Sequence, residues 1–103
     1  MRLISQDGKI DIPYESSVVY VCANYGYNKE EHFNHIVGYR IMAFIGDDSR
    51  DLGDYSTEEK ALQVMKMLQQ QYVCHLMTVL IDVKAETTYF KFPDDESVND
   101  VSA

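Results

Sequence analysis

Residues 55–73, Tyr-Ser-Thr-Glu-Glu-Lys-Ala-Leu-Gln-Val-Met-Lys-Met-Leu-Gln-Gln-Gln-Tyr-Val, constrain the fold more than any other stretch. At ~100° per residue, Ala61, Val64, Met65, Leu68 and Tyr72 share one arc, with Glu59, Gln63, Lys66 and Gln70 opposite. Ser56 followed three residues later by Glu59 has the capping-box pattern, in which each side chain bonds the other's orphan N–H. Glu58 and Glu59 place negative charge at the positive end of the helix dipole. An amphipathic helix of this kind needs a sheet or a second helix across its apolar stripe.

The rest of the chain supplies strands. Asp7-Gly8 between Leu3–Gln6 and Lys9–Ile12 is a hairpin signal, and Pro13 ends its second strand. Residues 17–23 are β-branched and aromatic enough for a strand buried on both faces. Residues 24–34, polar, aromatic and interrupted by Gly26, are expected to form a surface loop. Residues 35–45 form a long strand, with Val37, Tyr39, Ile41, Ala43 and Ile45 on one face and Ile36, Arg40, Met42 and Phe44 on the other. A turn at residues 46–49 and a short edge segment at 50–53 lead into the helix. That helix is expected to run to about residue 73. Thr78-Val79-Leu80-Ile81-Asp82-Val83 then prefers strand, and Tyr89-Phe90-Lys91-Phe92 returns as a last strand before Pro93. The expected architecture is α+β: an antiparallel sheet of about five to six strands with one helix packed across it.

Length limits the chain to one domain, expected over residues 1–93, followed by an acidic tail over 94–103. The net charge of −8 arises from 17 acids against nine Lys and Arg, which disfavours direct binding to duplex nucleic acid. The longest apolar run, Leu76 to Val83, is interrupted by Thr78 and Asp82, so no membrane span is expected. The opening Met1-Arg2-Leu3-Ile4 gives way at once to Ser5-Gln6-Asp7-Gly8 and has no signal-peptide pattern. Cys22 and Cys74 form no metal or redox motif and read as reduced core thiols of a cytoplasmic protein.

Three blocks carry a resemblance: residues 1–15, with Met-Arg-Leu-Ile-Ser-Gln-Asp-Gly and Ile-Asp-Ile-Pro-Tyr-Glu; residues 55–72, opening Tyr-Ser-Thr-Glu-Glu-Lys-Ala-Leu; and residues 90–96, Phe-Lys-Phe-Pro-Asp-Asp-Glu. Together they resemble a group of short proteins carried by phages and prophages of Gram-positive (Firmicute) bacteria. The resemblance implies a phage-borne origin and a place in the host cytoplasm, and it transfers no activity to any residue. Accessory phage proteins of this size are often binders that inhibit or sequester a host factor, in some cases a defence factor.

Candidate site residues follow from residue type. His32 and His35, which Glu31 could join, make a metal-like cluster, but zinc sites want three or four ligands and neither the two cysteines nor His75 falls at a suggestive spacing, so no metal or cofactor is assigned. Asp47, Asp48, Asp51 and Asp54 lack the glycine and terminal glutamate of a calcium loop. Tyr25, Tyr27 and Phe33 are aromatic residues placed to recognise a partner. Arg40, mid-strand among apolar neighbours, is either half of an ion pair or a clamp for phosphate or carboxylate; Arg2, Lys9 and Arg50 are candidates to converge on it. The reading is a non-enzymatic protein that binds a host protein or a small anionic, nucleotide-like ligand. One alternative is an acidic mimic of nucleic acid that blocks a DNA- or RNA-handling host protein. The other is a small metal-dependent hydrolase. Val18, Tyr20, Cys22, Ile36, Met42 and Phe44 leave a second apolar sheet face, for which a two-fold dimer is expected.

Overall fold

The computed structural model describes residues 1–28, 30, 33–81 and 88–99. Strand β1 (Arg2–Ile4) pairs antiparallel with β2 (Asp11–Pro13), Leu3 lying opposite Ile12. Asp-Gly forms the hairpin as expected, but inside a wider loop. Ser5 Oγ donates to Asp7 Oδ1 (2.6 Å), Lys9 N–H donates to the same oxygen (3.0 Å), and Ile10 N–H donates to Ser5 Oγ (3.1 Å). Gly8 takes φ 74°, the left-handed conformation that costs a glycine little.

Strands β3 (Val18–Asn28), β4 (Phe33–Ile45) and β5 (Asp48–Tyr55) form an antiparallel sheet in that spatial order. Two residues, Gly46 and Asp47, connect β4 to β5, and Gly46 has the positive φ (58°) that tight hairpin turns require. The turn is thus shorter than residues 46–49, and β5 is a full edge strand longer than the expected segment 50–53. Residues 24–28 and 33–34, expected in a loop, continue the ladder instead: Tyr25 pairs with Ile36, Gly26 with His35 and Tyr27 with Asn34. Gly26 keeps that ladder close, because an added Cβ would lie 2.7 Å from Val37 Cγ1.

Helix α1 (Glu58–Ile81) crosses β3, β4 and β5. Ala61, Val64 and Leu68 are buried and Met65 and Tyr72 partly so, as the periodicity requires. Its start differs from the capping-box expectation. Thr57 is the cap, its Oγ1 accepting from Lys60 N–H at 3.1 Å, while Ser56 N–H and Oγ–H both turn to Asp95 Oδ1 (2.8 and 3.1 Å). Its end differs more. Residues 76–81 are helical, not a strand. A strand there needs an edge to satisfy its N–H and C=O groups, whereas a helix satisfies its own. Thr78, a poor helix former, returns its hydroxyl to Cys74 O at 2.9 Å.

Strand β6 (Tyr89–Lys91) pairs parallel with β1, giving a second sheet ordered β2-β1-β6. Among the described residues the fold is therefore α+β with one α-helix and two three-stranded sheets, not a single sheet of five or six strands. Leu3, Ile12, Phe90 and Phe92 share one core with Ile41, Ala43, Leu52, Tyr55 and the helix. Part of the acidic tail also belongs to that core. Val98 is buried, and Asp95 accepts from Ser56 and lies 3.6 Å from Lys60 Nζ.

Gln6 joins the two sheets. Its backbone N–H donates to Leu52 O (2.9 Å). Its side-chain amide then copies a strand residue against the β5 edge: Oε1 accepts from Asp54 N–H (2.9 Å) and Nε2 donates to Asp54 O (3.1 Å). Nε2 also donates to Pro93 O (2.9 Å), to which the Tyr55 hydroxyl donates at 2.8 Å.

Candidate functional site

The face of the large sheet opposite α1 is built by strand alternation. Across β3 and β4, Val18 lies opposite Phe44, Tyr20 opposite Met42 and Cys22 opposite Arg40. Phe44 stacks on Tyr20 with ring centroids 5.2 Å apart, and the Tyr20 hydroxyl lies 3.7 Å from Met42 Sδ. Val18 is 66% exposed and Phe44 45%, so the patch is apolar, ordered and open to solvent. Cys22 on this face is half-buried and Cys74 on the helix is exposed, so neither is the core thiol expected.

An acidic border adjoins the patch. Arg40 lies opposite Asp54 on β5, its Nε donating to Asp54 Oδ1 at 2.7 Å, with Nη1 3.5 Å from Asp51 Oδ2. The hydrogen bond to Asp54 raises the affinity of the guanidinium for its proton further. Of the two roles considered for Arg40, the ion pair is therefore present. Convergence of basic residues on it is not observed, because Arg2 donates to Asp11 Oδ1 (2.8 Å) and Asp11 O (3.1 Å) on the small sheet and Arg50 lies 3.5 Å from Asp48. Asp48, Asp51 and Asp54 follow one another along β5, each more than half exposed.

The aromatic candidates lie at the far end of the β3–β4 ribbon. Tyr25 is 62% exposed beside a register shift between Asn24 and Tyr25. His35 sits opposite Gly26, and an added Cβ at Gly26 would lie 3.5 Å from its imidazole. Tyr27 and Phe33 belong to the ladder by their backbones; His32 lies outside the described residues, so the metal-like cluster is not described as a whole. Among the described residues no group of three or more His, Cys, Asp or Glu is arranged to hold a metal ion, and no helix is long and apolar enough to cross a membrane.

His75 lies at the edge of the core, its side chain largely covered. Its Nδ1 meets Thr88 Oγ1, and its ring stacks on Tyr72 at 6.0 Å. Sequence reasoning missed the acidic border as a partner for Arg40. The available signal was the spacing of Asp51 and Asp54 before the helix, opposite a strand that a two-residue turn folds back on them. Comparison of the chain with protein-family models, curated proteins and solved structures finds no match.

Proposed function

We propose that the chain is a small, non-enzymatic accessory protein of phage or prophage origin that docks on a host protein in the bacterial cytoplasm and inhibits or sequesters it. The observation that supports this is the outer sheet face, where an apolar patch (Val18, Tyr20, Phe44) lies beside a border of ordered carboxylates. Such a face complements a protein with an apolar patch rimmed by lysine or arginine. Rigid aromatic side chains give contact area with few rotamers to freeze. A nucleic-acid-handling protein is one such basic partner, and the carboxylates of β5 are the observation that favours it. The small-anion reading has less support, since an anion at Arg40 must first displace Asp54 and Asp51.

The test uses the full chain as bait in lysate of a Gram-positive host, followed by calorimetry with the purified captured protein. The expected result is a saturable complex whose affinity falls at least about tenfold in Phe44→Lys. It should also weaken between roughly 50 and 300 mM salt, and remain unchanged in Leu80→Glu. Equal affinity of wild type and Phe44→Lys would overturn the assignment of this face. A thermal-shift panel of nucleotides and phosphate that stabilises wild type but not Arg40→Ala would replace the protein partner with a small anion.

A further inference from the structure

Helix α1 carries a second apolar stripe that its own domain does not use. Val73, Leu76, Met77, Leu80 and Ile81 recur at i, i+3, i+4, i+7 and i+8, the spacing of a packed helix face, yet all five are exposed. Leu80 and Ile81 are 83% and 82% exposed. At ~100° per residue this stripe lies about 155° around the helix from the line of Ala61, Val64 and Leu68, so the core that buries those three has no access to it. Val79, back on the core-facing side, is also exposed, which places the end of the supporting body near His75.

We infer that this stripe is covered by a second copy of the chain, in an antiparallel helix pair about a two-fold axis near Met77. Charge is the first argument for this occupant. From Met67 to Ile81, a length of ~21 Å, the helix contains no Asp, Glu, Lys or Arg, in a chain of net charge −8. Two identical acidic proteins repel wherever charged surfaces meet, and residues 73–81 of this segment, which an axis near Met77 sets against their own copies, meet without charge. The same argument fixes direction. A parallel pair sets two acidic bodies side by side, whereas an antiparallel pair sends them to opposite ends, beyond the ~8 Å over which salt screens charge.

Register is the second argument. An axis at Met77 sets Met77 against its own copy, Val73 against Ile81 and Leu80 against Cys74, while Leu76 meets Thr78, whose hydroxyl is turned back to Cys74 O. Area is the third. If a large side chain fully exposes ~150–200 Å², the exposures of residues 73–81 leave on the order of 600 Å² per copy, near the low end of specific interfaces at ~1,200 Å² in total. The dimer contact is thereby placed on the helix and not on the sheet face, which stays open for the partner proposed above. The two assignments stand or fall separately.

Light scattering and sedimentation of the full chain over concentrations from about 1 to 100 µM should show a concentration-dependent dimer. Met77→Glu with Leu80→Glu should abolish it while the circular dichroism melt keeps its cooperativity, because neither side chain is in the core. Phe44→Lys should leave the dimer intact. As an independent readout, Met77→Cys in a Cys22→Ser, Cys74→Ser background should form a symmetric disulfide on mild oxidation, and Lys66→Cys in the same background should not. A wild-type monomer at all these concentrations would overturn the inference. So would a dimer that survives the double glutamate variant, or one that Phe44→Lys removes.

Discussion

Replacing Gln6 by alanine removes the amide that bridges the two sheets. Three hydrogen bonds go with it: from Asp54 N–H, to Asp54 O and to Pro93 O. At ~0.5–1.5 kcal/mol net for each bond, the gross loss is about 3 kcal/mol. Ordering a glutamine side chain costs up to ~2 kcal/mol, which alanine recovers in part, and water reaches the two bonds to Asp54. The expected net loss is about 2 kcal/mol, read as a lower urea midpoint at constant slope, or a melting temperature lowered by about 10 °C. Gln6→Glu sharpens the test. Glutamate still accepts from Asp54 N–H but donates to neither carbonyl, and it sets a carboxylate against two carbonyl oxygens. At neutral pH it should be worse than alanine, and it should recover as acid protonates it. A loss under about 0.5 kcal/mol for Gln6→Ala would refute the bridging role, as would a glutamate variant milder than alanine at pH 7.

Thr57→Ala should cost about 1 kcal/mol by denaturant titration and exceed the cost of Ser56→Ala, since Thr57 Oγ1 holds the Lys60 N–H; the reverse order would restore Ser56 as the cap. The bond from Ser56 N–H, first among several contacts, holds the Asp95 carboxyl below its ordinary value. A depressed carboxylate contributes stability above its unfolded pKa and loses it as pH falls through the folded one. Asp95→Asn should therefore flatten the acid limb of stability below about pH 4, and an unchanged limb would count against the contact. Val98→Ala should lower stability by about 1–2 kcal/mol through a cavity in the shared core; a neutral result would return Val98 to the solvated tail.

What could be read in advance followed from local chemistry. The Ala61–Tyr72 stripe, the Asp7-Gly8 hairpin, the two faces of residues 35–45 and the strand before Pro93 each depend on neighbours a few positions away. The misreadings trace to distant residues. Ser56 and Thr57 are equivalent hydroxyls at a helix start until Asp95, 39 positions on from Ser56, takes the Ser56 N–H. Gly26 resembles a loop breaker until Val37 is found against it. Residues 76–81 have the composition of a strand, but propensity does not create an edge to pair with. For Arg40 the choice between ion pair and clamp was legible; the identity of Asp54 and Asp51 depended on register. The acidic border was hidden for the same reason.

The parallel pairing of β1 with β6 has a consequence for how the chain is made. The β3–β4–β5 ribbon is assembled from hairpins and can close as soon as each turn emerges. The small sheet has no such freedom, because β1 waits for a strand that lies 87 positions later in the register of Arg2 with Tyr89. Until then Leu3 has no complete core to enter, and one side of β1 offers unpaired backbone groups to any passing strand. Asp11, two positions before Arg2's register partner Pro13 and bonded to Arg2, keeps that waiting hairpin together with an ion pair at its exposed side. The surface proposed for recognition therefore depends on contacts between neighbouring strands, whereas the core beneath it needs both ends of the chain.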